Sequence, residues 1–332
     1  MRGKIVLPIV LLISVAIVAG CVGQGTISIP GFGSDVVTPS RTTTSTGVTE
    51  PIAIENVRTL PEATVMPSQP VRLLMNIASK DTDPTKAIAN VYIDLFDAHV
   101  FKSANDVLCN SQTKPCQPNM CSSSSVCTLY PSEIKPIEFS LKAPTVEEIA
   151  NVITRATLNW LVRYDYATST NYDVLVVSME EILRLQQEGQ TLAISVQDTR
   201  GPGPIKIGLS AEPTFVFPGQ DIYITLKLED MGSGFPLGRN ITAGKLRLEF
   251  PPSLGQVSAN PNDYFTCDGQ GICTNSKNIE FFRKETTPLL FIVRTSELAD
   301  APHRAFTINA FMSYTYELRG STSLEIRPQQ FG

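Results

Sequence analysis

Self-similarity at a spacing of about 150 residues constrains this chain more than any other feature, because it marks tandem copies of one structural unit. Val65-Met-Pro-Ser-Gln69 followed by Val71-Arg-Leu-Leu-Met75 is matched by Val216-Phe-Pro-Gly-Gln220 followed by Ile222-Tyr-Ile-Thr-Leu226. Val91-Tyr-Ile-Asp-Leu-Phe96 is matched by Leu246-Arg-Leu-Glu-Phe250, and Asn105-Asp-Val-Leu-Cys109 by Asn262-Asp-Tyr-Phe-Thr-Cys267. Val162-Arg-Tyr-Asp-Tyr166 is matched by Met312-Ser-Tyr-Thr-Tyr316, each followed by a short polar turn and one more strand. Four matches in one order predict the same unit twice.

Within each copy the pattern is that of strands. Val71 to Ile77, Ala89 to Phe96, Ile137 to Leu141, Thr157 to Tyr166 and Val174 to Val177 are short and rich in β-branched or aromatic residues. Leu158, Trp160, Val162, Tyr164 and Tyr166 fall on one face and Asn159, Arg163 and Asp165 on the other, the mark of a half-buried antiparallel strand with Trp160 in the core. The second copy repeats this over Ile205–Leu209, Asp221–Leu228, Gly244–Phe250, Leu289–Val293, Ala305–Tyr316 and Ser323–Ile326, after a turn-rich hinge at Arg200-Gly-Pro-Gly-Pro204. Two capping boxes, Thr145-x-x-Glu148 and Ser178-x-x-Glu181, predict short helical inserts in the first copy, the second ended by Gly189.

The prediction is therefore all-β: two tandem antiparallel sandwiches, residues 52–200 and 203–329. The stretch FPGQDIYITLKLEDMGSG and the closing Tyr-x-Tyr strand resemble the Ig-like or CARDB-like modules repeated in archaeal and bacterial cell-surface proteins. That resemblance covers 203–328 best and 55–198 more loosely. It implies two Ig-like domains on the cell surface, with structural, adhesive or recognition roles.

The first residues point outward too. Arg2 and Lys4 precede a nearly all-apolar run from Ile5 to Val18, and Ala19, Gly20 and Cys21 follow, which is how a secretory signal reads. Val18-Ala19-Gly20-Cys21 resembles a lipobox, which implies that Cys21 becomes the lipidated first residue of the mature protein. An uncleaved signal anchor and a pilin-type leader cut after Gly3 are the alternatives; as a helix the apolar run spans about 24 Å, short of a hydrocarbon core of about 30 Å. Each places the rest of the chain on the extracytoplasmic face of the cell membrane. Residues 22–51 are Gly, Ser, Thr and Pro with few large apolar side chains, and read as a flexible tether.

Cys109, Cys116, Cys121, Cys127, Cys267 and Cys273 are an even set at close spacing, which in an exported protein reads as disulfides. A four-thiolate zinc site on the first four is the alternative, although the C-x2-C knuckle is missing. The pairing of Cys109, Cys116, Cys121 and Cys127 is one of three possibilities. The two cysteine loops, 109–127 and 267–273, read either as a joint stapled recognition surface or as stabilised insertions only.

Little else suggests chemistry. His99 and His303 lack partners at ligand spacing, and Asp81, Asp83, Asp94 and Asp97 lack the dense calcium-loop pattern. No enzyme activity, metal or cofactor is implied. A net charge of −5, from 27 Lys and Arg against 32 Asp and Glu without a basic block, argues against nucleic acid as a partner. The expected partners are the membrane and other surface proteins or glycans. Asn240-Ile-Thr242 is an N-glycosylation sequon. The alternative function is an accessory subunit of a membrane-associated secretion, transport or pilus assembly, docking through Ile182, Leu183 and Leu185.

Overall fold

Two strands of 24 residues, Thr154–Val177 and His303–Ile326, dominate the computed structural model, and they pair antiparallel along their whole length. The structure describes residues 37–45, 47–81, 83, 85–109, 117–121, 126–259, 261, 264–299 and 301–328. The leader with Cys21, most of the 22–51 segment before Val37, and Cys116 lie outside the described residues.

The long strands arise where turns are expected. Ala167-Thr-Ser-Thr-Asn171 and Glu317-Leu-Arg-Gly-Ser-Thr322 carry turn-forming residues, yet both continue as strand. Each run finds a partner in the other copy, and tertiary pairing outweighs local preference. Alternation persists through the first run, since Thr168, Thr170 and Tyr172 are buried while Ala167 and Asn171 are exposed.

The register has a two-fold character. Tyr164 and Tyr166 correspond in the repeat to Tyr314 and Tyr316, and the ladder pairs Tyr164 with Tyr316 and Tyr166 with Tyr314. A half-turn about the Asp165–Thr315 pair therefore exchanges the copies. Each copy also reaches into the other. Thr64–Val65 lies parallel to Glu325 and Ile326, and Phe215–Val216 lies parallel to Leu175 and Val176.

A smaller sheet from each copy completes the fold. In the first copy its order is Ile52–Leu60, Pro70–Ser79, Ile134–Lys142, Ala98–Lys102 and Leu108–Cys109. In the second copy, Ile205–Glu212, Asp221–Asp230, Leu289–Thr295 and Gly255–Ala259 are its main strands. The inward side chains of these sheets and of the long strands form one apolar core, containing Leu73, Phe139 and Val162 as well as Ile224, Phe291 and Ile308. The all-β expectation thus holds at the coarser level. Two separately closed sandwiches divided near residue 200 are not confirmed: the long strand of each copy pairs with that of the other along its whole length.

Trp160 is buried as expected, opposite Gly320 across the ladder. A Cβ at 320 would lie 2.1 Å from the indole, so the ring occupies the space a side chain would take. Three further expectations are refined. Val37–Ser45, placed by composition in the tether, is a strand parallel to Leu192–Arg200; its threonines are β-branched, and Arg41 lies 3.8 Å over the Tyr172 ring. The Thr145–Glu148 capping box forms both reciprocal hydrogen bonds, but positive φ at Ala150 and Asn151 limits the segment to a turn. Ser178 does cap a helix, Met179–Glu188, which Gly189 ends in the left-handed conformation at φ 61°.

Candidate recognition surfaces

Among the described residues the cysteines are found as disulfides, Cys121 with Cys127 and Cys267 with Cys273, and Cys109 is disulfide-bonded too. With those sulfurs joined to one another, the four-thiolate zinc alternative fails. The two bridges do not share a surface. Cys127 sits on a strand beside Ile88–Phe96, which borders the first long strand; Cys273 sits on a strand beside Leu246–Glu249, which borders the second. Five strand spacings separate them, about 24 Å. They are also displaced along the ladder, because Ile88–Phe96 pairs near residue 161 and Leu246–Glu249 opposite residues 168–171. The reading as one joint stapled surface is corrected: the shared sheet carries the loops to opposite margins.

At the centre of the ladder the inner face carries four tyrosines in a ring of contacts. Tyr164 and Tyr316 lie 5.8 Å apart between centroids, Tyr166 and Tyr314 6.3 Å. Two repeat-related hydroxyls each donate to a buried carboxylate: Tyr166 to Asp81 at 3.2 Å and Tyr316 to Asp230 at 2.8 Å. Burial pushes the Asp230 carboxyl above its ordinary value, against the opposing pull of the Tyr316 hydroxyl and the Gly232 N–H. Burial likewise raises all four phenols, so they stay protonated; the Tyr314 hydroxyl accepts from the Ile205 N–H at 3.3 Å. Gly203 and Gly232 let the covering loops come down: a Cβ at 203 would sit 2.6 Å from the Tyr166 ring and one at 232 only 2.3 Å from the Tyr316 hydroxyl. The Tyr-x-Tyr repeat was visible in the sequence. Its carboxylates were not, since they lie about 85 residues from the rings they meet. Asp81, weighed as a calcium ligand, is instead buried here and accepts from the Asp83 N–H.

The outer face of the same centre is polar. Glu317 is wholly buried between Arg163, its partner across the ladder, and Arg319, 2.6 Å away. Burial disfavours the Arg163 charge, but hydrogen bonds to Glu317 and Tyr92 outweigh this and raise its pKa. Arg319 also stacks between Phe96 and Phe235, 5.0 Å from each ring centroid. Beside this cluster, directly over the two-fold pair, lies a groove of about 260 Å³ lined by Asp165, Asn240, Thr242, Lys245, Ser313 and Thr315. Asp165 accepts from the Thr315 hydroxyl and from the Asn90 amide, both at 2.6 Å. The sequon residue Asn240 is half-buried, its amide donating to the Gly238 carbonyl at 3.0 Å.

The ladder's ends are unlike. At the end near Val177 and His303, the helix lays Ile182 on Leu175, Val177 and Val196, with Phe215 and Phe217 packed alongside. Ile182 and Leu185 are buried there and only Leu183 of the expected docking face is exposed, so that face serves the fold. His303 is half-buried at this end. Val37, the first described residue, pairs with Leu192 and belongs to the same end. At the other end, near Thr154 and Ile326, Met66, Val146, Val152 and Ile153 stand 40–60 % exposed on turns. The Ser68 N–H donates to the Pro144 carbonyl and draws those turns together. Among the described residues no cluster of His, Cys, Asp and Glu suits a metal ion, and no helix is long and apolar enough to cross a membrane.

No protein-family model matches the chain, and no curated protein matches it. Among solved structures, the secreted serine protease VesC from Vibrio cholerae is 11 % identical over 74 % of this chain, which spans 47 % of that one, with a TM-score of 0.18. The C-terminal domain of the Streptococcus agalactiae AgI/II polypeptide BspA is 12 % identical over 84 % of this chain and all of its own, at 0.15. At such TM-scores nothing about function passes from these proteins to this chain.

Proposed function

We propose that this chain is a membrane-tethered protein of the extracytoplasmic face that acts in recognition or adhesion, without catalysis. The observation that carries the reading is the opposition of the ladder's ends. The chain comes in at Val37 beside the capped end, while the exposed aliphatic cluster of Met66, Val146, Val152 and Ile153 lies at the other. Twenty-four residues at about 3.4 Å each put the two roughly 80 Å apart. Exposed apolar side chains at that end are free to meet a partner. Disulfides at Cys121–Cys127 and Cys267–Cys273 suit the oxidising exterior that this reading requires.

Two measurements test it. Intact mass of the protein from membranes should show lipid on Cys21 and the loss of about two protons per disulfide. Photo-crosslinking on living cells should capture a surface partner, and replacing Val146, Val152 and Ile153 by Asp should cut that capture at least tenfold while leaving membrane fractionation unchanged. Undiminished capture by the triple variant would refute recognition at this end.

A further inference from the structure

The groove over the two-fold pair has a chemistry that the proposed function does not use. It is walled by hydroxyls of Thr242, Ser313 and Thr315, the Asn240 amide, the Lys245 ammonium and the Asp165 carboxylate, with Leu237 as an apolar side. Its volume of about 260 Å³ falls below the 300 Å³ or so at which pockets begin to hold drug-sized molecules. One pyranose ring fits that space. The polar groups also match such a ring: several neutral donors and acceptors around one small volume, and an aliphatic side chain for the C–H face. Asp165 is set for the task. Thr315 and Asn90 each occupy one lone pair on a different oxygen, fixing the carboxylate while leaving acceptor capacity toward the groove.

We propose that this groove seats a sugar ring. Two sources offer that chemistry, and one is built into its wall, since both Asn240 and Thr242 of the sequon line it. An N-glycan replaces only one of the two amide hydrogens, so the other can keep its bond to the Gly238 carbonyl and steer the sugar over Asp165. The donor for that attachment is a lipid-pyrophosphate-linked oligosaccharide. The amide nitrogen bonds to the sugar's C1 as the C1–O bond breaks, the pyrophosphate leaves with the electron pair, and the amide proton passes to a base of the transferase. The second source is the glycan of a partner surface.

Two arms separate the sources. In the first, protein from its own cells is digested and the Asn240 peptide weighed. A carbohydrate mass on that peptide, together with a drop of several degrees in Tm for N240Q that vanishes in an S313A/T315V background, identifies the attached glycan as the occupant. In the second, unglycosylated protein is titrated with methyl glycosides of hexoses and N-acetylhexosamines and followed by amide NMR. Shifts confined to 165, 240–245 and 313–315, and lost in T242V/S313A, identify a partner's sugar. If neither arm gives its signal, the proposal is overturned. The first arm rests on the extracytoplasmic reading and the second does not, so a failure of location and a failure of the groove are distinguishable.

Discussion

At Gly320 the space for a side chain is already filled by the Trp160 indole, which leaves the ladder no slack at that pair. Gly320→Val should therefore destabilise the protein by about 1–3 kcal/mol through overpacking, read as a lower urea midpoint at unchanged m-value. A variant as stable as the parent would mean that the ring has room to move. Asp230 makes a different prediction. Because burial raises its pKa, the folded protein keeps a proton that the unfolded chain has already lost, and stability falls as pH rises from the ordinary carboxylate value of 3.8 upward through the raised one. Asp230→Asn keeps an acceptor for the Tyr316 hydroxyl and has no proton to lose. Its urea midpoint should decline less than the parent's over that pH interval, and parallel profiles would exclude Asp230 as the source. On the outer face, Arg163→Met strips one of two charged partners from the buried Glu317. A loss of about 1.5–3 kcal/mol is expected, the scale of a hydrogen bond to a charged group, with Glu317→Gln in that background recovering part of it. No recovery would mean that Arg319 alone satisfies the carboxylate.

Elements differ in how far the sequence announces them. Strand existence was legible wherever β-branched and aromatic residues alternate: Pro70–Ser79, Ile88–Phe96 and Asp221–Asp230 fall where the pattern put them. The helix at Met179–Glu188 was legible through its caps. What alternation cannot show is which strand is the neighbour. Ala167–Asn171 and Glu317–Thr322 read as turns because Ser, Thr, Asn and Gly favour turns in isolation, and their partners lie 138 to 164 residues away. Val37–Ser45 was misread for the same reason: a Thr-rich run is tether or strand according to what lies beside it. The candidate groove was half legible. The Asn240 sequon could be read directly, but Asp165 and Thr315 join it only through the ladder. The disulfides were legible as chemistry and not as geometry. Each closes a loop of six residues' separation, so Cys267→Ala with Cys273→Ala should cost about 2 kcal/mol and leave the strands in place. Loss of the β-sheet circular dichroism at 25 °C in that variant would show the bridge to be integral to the core instead.

For the molecule as a whole, the shared ladder decides how the chain comes apart. Two sandwiches in tandem would each own a core and unfold as separate units, with midpoints set by their own contents. Here Tyr164, Tyr166, Tyr314 and Tyr316 sit where the cores of the copies meet, and Thr64–Val65 and Phe215–Val216 each complete the sheet beside the other copy's long strand. Unfolding one copy removes half of the partners of the other's closing strand and bares the fully buried Tyr164 and Tyr316. Neither half can be lost at small cost. Equilibrium urea unfolding of residues 37–332 should accordingly give one transition, coincident by tyrosine fluorescence and far-ultraviolet circular dichroism. Native-state hydrogen exchange should find the slowest amides near the ladder's centre, in 160–172 and 308–320, opening only with the whole molecule. The turns at 145–153 should exchange fastest, since Val146, Val152 and Ile153 bury little there. Two resolved transitions, with the central amides of one long strand exchanging well before those of the other, would mean that the copies hold themselves up separately and that the ladder joins two finished domains.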